Sequence, residues 1–344
     1  MRCAARAAFS IGHREPQPRL PAVDAAVRRR VTRRRFIGYL AAAFAVGALA
    51  AGGCAQLAQK ERELTFRVVQ GDASWYGGLP EGVREMNIPV RGAGEPAPRI
   101  HAWWWPSERS DAPAVLYFHG SRWNLTGQLF RVRQLHDFGF SVLAVDYRGF
   151  GKSDGGVPSE QSVYADARAA WQAFVALVPD ATRRIIYGHS LGGAVAVDLA
   201  AWLDHVADGD TKPARGLVVE SSFTTLADVA RSLSYSWLPA EWILSQKFDS
   251  LGKIVQVRMP VLFVHGAADR FVPARFSQAL YDAAHARKRL LLVDGATHNN
   301  SMRMATDEYR EALFALFGLH GARAPAGDEA LQVHRRSPAA RNAS

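Results

Sequence analysis

Six short and nearly unbroken apolar runs recur along the chain: Ala114–Phe118, Ser141–Val145, Arg184–Tyr187, Gly216–Val219, Val261–Val264 and Leu290–Val293. A strand with one face in water alternates apolar and polar side chains. A run with no polar face belongs to a strand covered on both sides, as in a parallel sheet. Between these runs lie stretches of helical periodicity: Gln128–Phe138, Ser159–Leu177, Leu191–Leu203, Pro273–Ala286 and Asp307–Leu316. Parallel strands need long crossovers, which helices supply. The alternation therefore predicts an α/β fold, a doubly wound, mostly parallel sheet with helices on both faces. Leu64–Val69, Glu85–Val90 and Ile100–Trp105 read as further, opening strands. In such sheets ligands bind beyond the carboxyl ends of the strands, so the chemistry is expected where the apolar runs end.

Charge lies away from this region. The 344 residues carry a formal +10, but residues 1–53 hold ten Arg against two acids and residues 321–344 hold four Arg against two. The stretch from Cys54 to His320 is near neutral, so nucleic-acid binding has no basic patch to rest on. With 48% hydrophobic and 22% charged residues the composition excludes collagen-like and wholly disordered chains. Two cysteines exclude a disulfide scaffold and a Cys-rich zinc module. No paired His, Asp or Glu stands at metal-binding spacing on a helix, so no metal is expected. No G-x-G-x-x-G or Lys-bearing phosphate loop follows a strand, so no nucleotide cofactor is expected either.

The first fifty-odd residues read as an address. Thr32-Arg33-Arg34-Arg35-Phe36-Ile37-Gly38 resembles a twin-arginine export signal, with Gly38 where a lysine is usual. The apolar run Phe36 to Ala51 follows. Sixteen helical residues rise about 24 Å, short of a bilayer core of about 30 Å, which suits a signal better than a permanent span. The run ends in Leu49-Ala50-Ala51-Gly52-Gly53-Cys54, which resembles a bacterial lipobox, with Ala51 where Leu is commoner. That resemblance implies cleavage before Cys54 and lipidation of its side chain. The expected organisation is a lipoprotein signal over 1–53, a tether over 54–62, a catalytic domain over 63–320 and a disordered tail over 321–344.

The chemistry begins at Ile185-Ile186-Tyr187, which leads into Gly188-His189-Ser190-Leu191-Gly192 and then a helix. This is G-x-S-x-G in a strand–turn–helix context, the pattern of a nucleophile elbow. A sharp turn lifts the serine above the sheet, flanking glycines let strand and helix approach, and the helix amino terminus adds positive potential where an oxyanion forms. With Tyr117-Phe118-His119-Gly120, the stretch Asp146 to Ser153, His265 to Pro273 and Gly295-Ala296-Thr297-His298, the chain resembles the α/β-hydrolases over about Arg84 to Phe317. Within them it looks most like the serine-aminopeptidase-like hydrolases and the small membrane-associated esterases and depalmitoylases.

Ser190, Asp269 and His298 stand in the order this fold uses. A serine hydroxyl is nearly inert at neutral pH, so an imidazole must take its proton, and a carboxylate must hold that imidazole. Glu220, at the end of a strand, and Asp294, four residues before His298, are rival acids. The oxyanion hole is expected from the backbone N–H groups of Leu191 and Ser121. His119 and His265 are expected to donate to loop carbonyls, and Asp146 and Arg148 to tie their loop together.

A short helical cap is expected over about 221–259. Trp123, Phe223 and Trp237, with Phe248 and Trp242 among other aromatics, could line an apolar acyl groove or simply pack the cap. The sequence thus points to an exported, lipid-anchored serine hydrolase of the bacterial envelope acting on small or lipid-like esters or thioesters. The alternatives are a serine aminopeptidase or amidase of the same fold and a non-catalytic envelope binding module.

Overall fold

The apolar runs form six adjacent strands, reaching one edge, of an eight-stranded sheet in a computed structural model that describes residues 53, 55–94, 96–207, 213–233 and 239–319. The chain divides into two units, Met1–Gln56 and Leu57–Ser344, and every element below belongs to the second. The signal segment up to Gly52, Cys54, Trp237 and the tail 321–344 lie outside the described residues.

The strands are β1 (Arg84–Pro89), β2 (Arg99–Trp105), β3 (Ala114–Phe118), β4 (Ser141–Val145), β5 (Arg184–His189), β6 (Gly216–Glu220), β7 (Val261–Gly266) and β8 (Lys288–Val293). Their order across the sheet is β1-β2-β4-β3-β5-β6-β7-β8. β1 and β2 run antiparallel to their neighbours, and every pairing from β4 to β8 is parallel. β3 shows why its sequence carries no polar face. Ala114, Leu116 and Phe118 enter the core on one side of the sheet, and Val115 and Tyr117 the core on the other. At about 25 cal/mol per Å² of apolar surface, burial on two faces is the main force holding such a strand.

Helices α2 (Leu125–Asp137), α3 (Glu160–Leu177), α4 (Leu191–Val206), α8 (Arg275–Ala283) and α10 (Thr306–Phe317) cover the sheet, with a single turn α9 (Ser301–Met304) before the last. α2 is capped by Asn124, whose side chain accepts from the Thr126 N–H, and α3 by a reciprocal box between Ser159 and Ser162. α4 is buried on nearly all sides, which explains its alanines and valines.

One expectation is corrected here. Leu64–Val69 is not a strand. Helix α1 covers residues 57–65 within this unit, so Leu64 is helical, and the segment after it touches other backbone only through isolated bridges, Arg67 to Arg122 and Gln70 to Gly151. β-rich composition makes a strand only where an edge is free to pair, and this segment crosses loops instead. Residues 57–62 of the expected tether are helical, and Glu61 accepts N–H bonds from Ser245 and Gln246.

The cap between β6 and β7 is small, as its length predicts: α5 (Leu226–Ser232), α6 (Ala240–Ile243) and α7 (Ser250–Ile254). Glu160, the first residue of α3, pins it by accepting from the N–H groups of Lys247 and Phe248. Phe223 does not line an open groove. It is buried in the core, edge-on to Phe248, which itself packs against Phe66 and Tyr164. A short cap has no second core of its own, so its aromatics fill the space beneath it. Trp242, by contrast, stands 89% exposed.

Candidate active site

β5 ends at His189 and α4 begins at Leu191, so Ser190 is the whole turn between them. It has φ 56° and ψ −121°, a conformation that costs a non-glycine residue about 1–3 kcal/mol. The turn is held from outside: the Ser190 N–H donates to the Glu220 carbonyl at 2.8 Å, and the Ser222 hydroxyl donates to the Ser190 carbonyl at 2.9 Å. The flanking glycines have a steric reason. A side chain at Gly188 would collide with the Gly192 carbonyl, and one at Gly192 with the Phe118 carbonyl.

The structure brings Ser190, His298 and Asp269 together. His298 Nε2 lies 3.0 Å from Ser190 Oγ, and His298 Nδ1 lies 2.7 Å from Asp269 Oδ2. A carboxylate accepts, so Nδ1 carries the proton and Nε2 offers its lone pair to the hydroxyl. The other Asp269 oxygen accepts from the N–H groups of Phe271 and Val272 at 2.9 and 3.0 Å. Burial opposes ionisation of this carboxyl. Hydrogen bonds from His265 and His298 and from the Val272 N–H outweigh it and hold the group well below the usual carboxylate range.

The rival acids are placed elsewhere. Asp294 is exposed on the loop after β8. Glu220 is wholly buried and paired with Arg131 of α2, Nε to Oε2 at 3.1 Å and Nη2 to Oε1 at 3.3 Å. The Tyr187 hydroxyl also donates to Glu220 and receives one from Tyr309, the two oxygens lying 2.6 Å apart. Arg131 Nη1 reaches Gln128 Oε1 at 3.2 Å, and Tyr117 donates to that same oxygen. Sequence reasoning did not find this cluster. Its one local signal is Gln128 and Arg131, three residues apart on a helix face that otherwise buries Leu125, Val132 and Leu135.

The two expected oxyanion donors, Ser121 and Leu191, lie on the segments next to the serine. Leu191 opens α4, so its N–H has no partner within the helix. Ser121 follows Gly120, where a Cβ would stand 3.2 Å from the Ser190 Cβ, so the loop passes close above the nucleophile. His119 Nδ1 lies 2.7 Å from the Gly120 carbonyl and donates to it. In a trans peptide the N–H points opposite to the C=O, so this bond turns the Ser121 N–H away from His119. The Ser121 carbonyl accepts from the Arg67 N–H at 3.0 Å. Asn124 donates to the carbonyls of Val69 and Gly71, so the segment after α1 is strapped over the oxyanion loop.

Asp146 accepts the Leu125 N–H at 2.9 Å and lies 3.3 Å from His119 Nε2, while Arg148 binds Asp166 at 2.7 Å. Neither reaches the triad. His265 donates from Nε2 to the Val272 carbonyl at 2.8 Å. Trp123, at φ 66°, packs edge-on to Trp75 with ring centroids 4.5 Å apart. It borders a cavity of about 530 Å³ whose wall includes Phe66, Val68, Arg67 and Arg122. Phe271 stands beside the His298 ring, 6.2 Å between centroids, and is 68% exposed. Among the described residues no group of three or more His, Cys, Asp or Glu is placed to hold a metal ion.

A mostly parallel, doubly wound sheet with Ser, His and Asp converging at its carboxyl edge defines an α/β protein with a site of the hydrolase type. The comparisons agree. Residues 110–252 match the family model of the serine aminopeptidases, S33. An uncharacterized protein of Mycobacterium tuberculosis is 38% identical over 205 residues, which are 59% of this chain and 69% of that protein. The lysophosphatidylserine lipase ABHD12 of Danio rerio is 33% identical over 204 residues, 55% of this chain and 51% of the lipase. An esterase of Pyrococcus furiosus superposes with a TM-score of 0.57 at 18% identity, over 74% of this chain and 98% of its own. The chain belongs to the α/β-hydrolase superfamily, a family of hydrolases.

Proposed function

We propose that the chain is a serine hydrolase that cleaves carboxylic esters or thioesters through an acyl-enzyme. One observation carries the reading: an unbroken hydrogen-bond relay from Asp269 through His298 to a serine presented on a strained elbow. Ser190 Oγ attacks the substrate carbonyl carbon as its proton passes to His298 Nε2. Asp269 keeps the imidazole in the Nδ1–H tautomer and stabilises the cation that forms. The Ser121 and Leu191 N–H groups stabilise the oxyanion. The tetrahedral intermediate collapses, the C–O or C–S bond breaks, and the leaving alcohol or thiol takes the proton from His298. Water, deprotonated by the same imidazole, then cleaves the acyl-enzyme and releases the acid and the free serine.

Likeness to the fish lipase and the archaeal esterase favours an ester or lipid-like acyl substrate. The description of the matching family model keeps amide cleavage by an aminopeptidase as the second reading. Purified protein beginning at Gln56 is expected to turn over p-nitrophenyl acyl esters at least 100-fold faster than aminoacyl p-nitroanilides, measured as kcat/KM on both series. Turnover of the anilides alone overturns the esterase reading in favour of the peptidase.

We propose further that the chain is exported to the bacterial envelope and held there by lipid on Cys54. Support comes from the Arg33-Arg34 pair, the Phe36–Ala51 apolar run and the small residues before Cys54. Among the described residues no helix is long and apolar enough to cross a membrane, and the Phe36–Ala51 run lies outside them. Replacing Arg33 and Arg34 together by Lys is expected to leave precursor in the cytoplasm. Cys54→Ala is expected to move the protein from the membrane to the soluble fraction on carbonate extraction. Normal export of the first variant, or full membrane retention of the second, counts against the corresponding half of the proposal.

A further inference from the structure

His189 occupies the variable position of the G-x-S-x-G turn, and its side chain is directed at the loop that carries the base. Its Nε2 lies 2.9 Å from the backbone carbonyl of His298, with the two rings 5.1 Å apart and inclined at 52°. A carbonyl can only accept, so Nε2 bears a proton. The residue is 2% exposed, and its Nδ1 is buried with no partner among the described residues, close to Gly120. Burial, the Arg131 cation and His298 hold this imidazole well below its usual range, so it is neutral and Nδ1 carries no proton. One nitrogen is left without a partner while the other is spent on a single carbonyl. That arrangement costs free energy, as any buried unpaired polar atom does.

The loop at the other end of this bond is anchored before His298 at Ala296, buried and accepting the Ala268 N–H at 2.8 Å, and after it at the buried Ser301, but is partly exposed between them. Asp294, Gly295, Thr297 and Asn299 are exposed. Thr297 is tied only locally, its N–H donating to Asn300 Oδ1 at 2.6 Å. Asp269 holds the His298 ring from its side-chain end, and the His189 bond holds the same residue at its carbonyl. Arg131 reinforces the second anchor from below. It stands within reach of the next carbonyl, Asn299, at a long 3.5 Å, and is itself fixed by Glu220 and Gln128. Period-two alternation along β5 puts Tyr187 and His189 on one face, so the buried cluster and the brace form one connected wall.

We propose that His189, backed by Arg131 and Glu220, is a positioning residue: it fixes the peptide of His298 so that Nε2 stays in line with Ser190 Oγ. The two ends of His298 are then held by different strands, its ring by the loop after β7 and its carbonyl by the end of β5. Freeing the carbonyl lets the ring swing about its remaining tether, and misplacements of about 1 Å cost catalysts on the order of 100-fold. The proposal rests on the Ser190–His298–Asp269 reading.

The test is steady-state kinetics on an acyl ester with His189→Leu, His189→Gln and His189→Asn, each with a thermal melt. His189→Leu is expected to lower kcat about 10- to 100-fold with KM changed less than about twofold. A residue that merely fills space has no reason to divide its effect in this way. Glutamine places an amide N–H near the position of the imidazole Nε2, so His189→Gln is expected to recover kcat to within a few-fold of wild type. Asparagine is too short to reach and is expected to behave like leucine. Should His189→Leu fail to fold, the comparison of Gln with Asn carries the test. Equal kcat for those two, or a His189→Leu kcat within twofold of wild type, overturns the brace. Ser190→Ala is run alongside: if it stays fully active, the triad reading itself has failed, and if it is inactive while the His189 variants keep full rate, only the brace has.

Discussion

Ser190→Ala is expected to lose ester turnover by about 10⁴- to 10⁶-fold and to escape labelling by a fluorophosphonate probe, with the melting temperature within a few degrees of wild type. The size follows from removing the atom that forms the acyl bond: what remains is water attack assisted by binding and the oxyanion donors. The unchanged fold follows from geometry, since alanine at φ 56° is as strained as serine and the turn's backbone bonds to Glu220 and Ser222 survive. Ser190→Gly separates the two properties. It is expected to be equally inactive yet about 1 kcal/mol more stable in urea unfolding, because glycine relieves the positive-φ strain. Substantial labelling or turnover by Ser190→Ala would mean that another nucleophile does the chemistry.

The part of the fold that the sequence displays plainly is the part governed by local pattern. β3 to β7 contain the continuous apolar runs, because burial on both faces keeps nearly every central position apolar and leaves a signal four or five residues long, whereas β8, at the sheet edge and half-buried, shows its run only after Lys288 and Arg289. The first helix after β3 begins at Leu125 rather than Gln128, since capping by Asn124 recruits one more turn than the apolar spacing shows. Leu64–Val69 misleads for the opposite reason: its residues favour a strand, and what they become depends on whether an unpaired edge lies nearby, which no local pattern encodes. Phe223 and Phe248 are of the same kind. An aromatic in a cap serves a groove or a core according to what lies beneath it, and here Phe66 and Tyr164 complete a core.

The site divides in the same way. Ser190, Asp269 and His298 were legible because each lies in a turn whose residue types are fixed by sterics and chemistry, and the structure brings them within hydrogen-bond reach. The brace was hidden because its members are spread over the chain at 131, 187, 189, 220 and 309, and come together only when α2 and α10 pack on one face of the sheet. A buried charge partner has no sequence period. Only its helix spacing from Gln128 hints that Arg131 faces inward.

Glu220 is where these two kinds of information meet, because the sequence offers it as a rival acid and the structure gives it other partners. Asp269→Asn is expected to lower kcat by about 10⁴-fold. The amide donates where the carboxylate accepted, so the imidazole turns to the tautomer whose Nε2 carries the proton and can no longer take one from serine. Glu220→Gln is expected to keep kcat within about tenfold of wild type and to lose about 3–5 kcal/mol of stability in urea, because it leaves Arg131 as an uncompensated buried cation. The two variants therefore fail in opposite columns, one in rate and the other in stability. The acid limb of the stability curve reports on Asp269 as well. The native Asp269 carboxyl is held below its usual range, so it binds protons less readily folded than unfolded. Its contribution to stability is complete above the ordinary carboxylate pKa of about 4 and is lost as the pH falls through the lower folded value. Asp269→Asn is expected to flatten the acid limb of the wild-type stability curve in that window. A rate loss confined to Glu220→Gln, with Asp269→Asn near wild type, transfers the acid's role to the end of β6 and removes the relay on which the proposed chemistry depends.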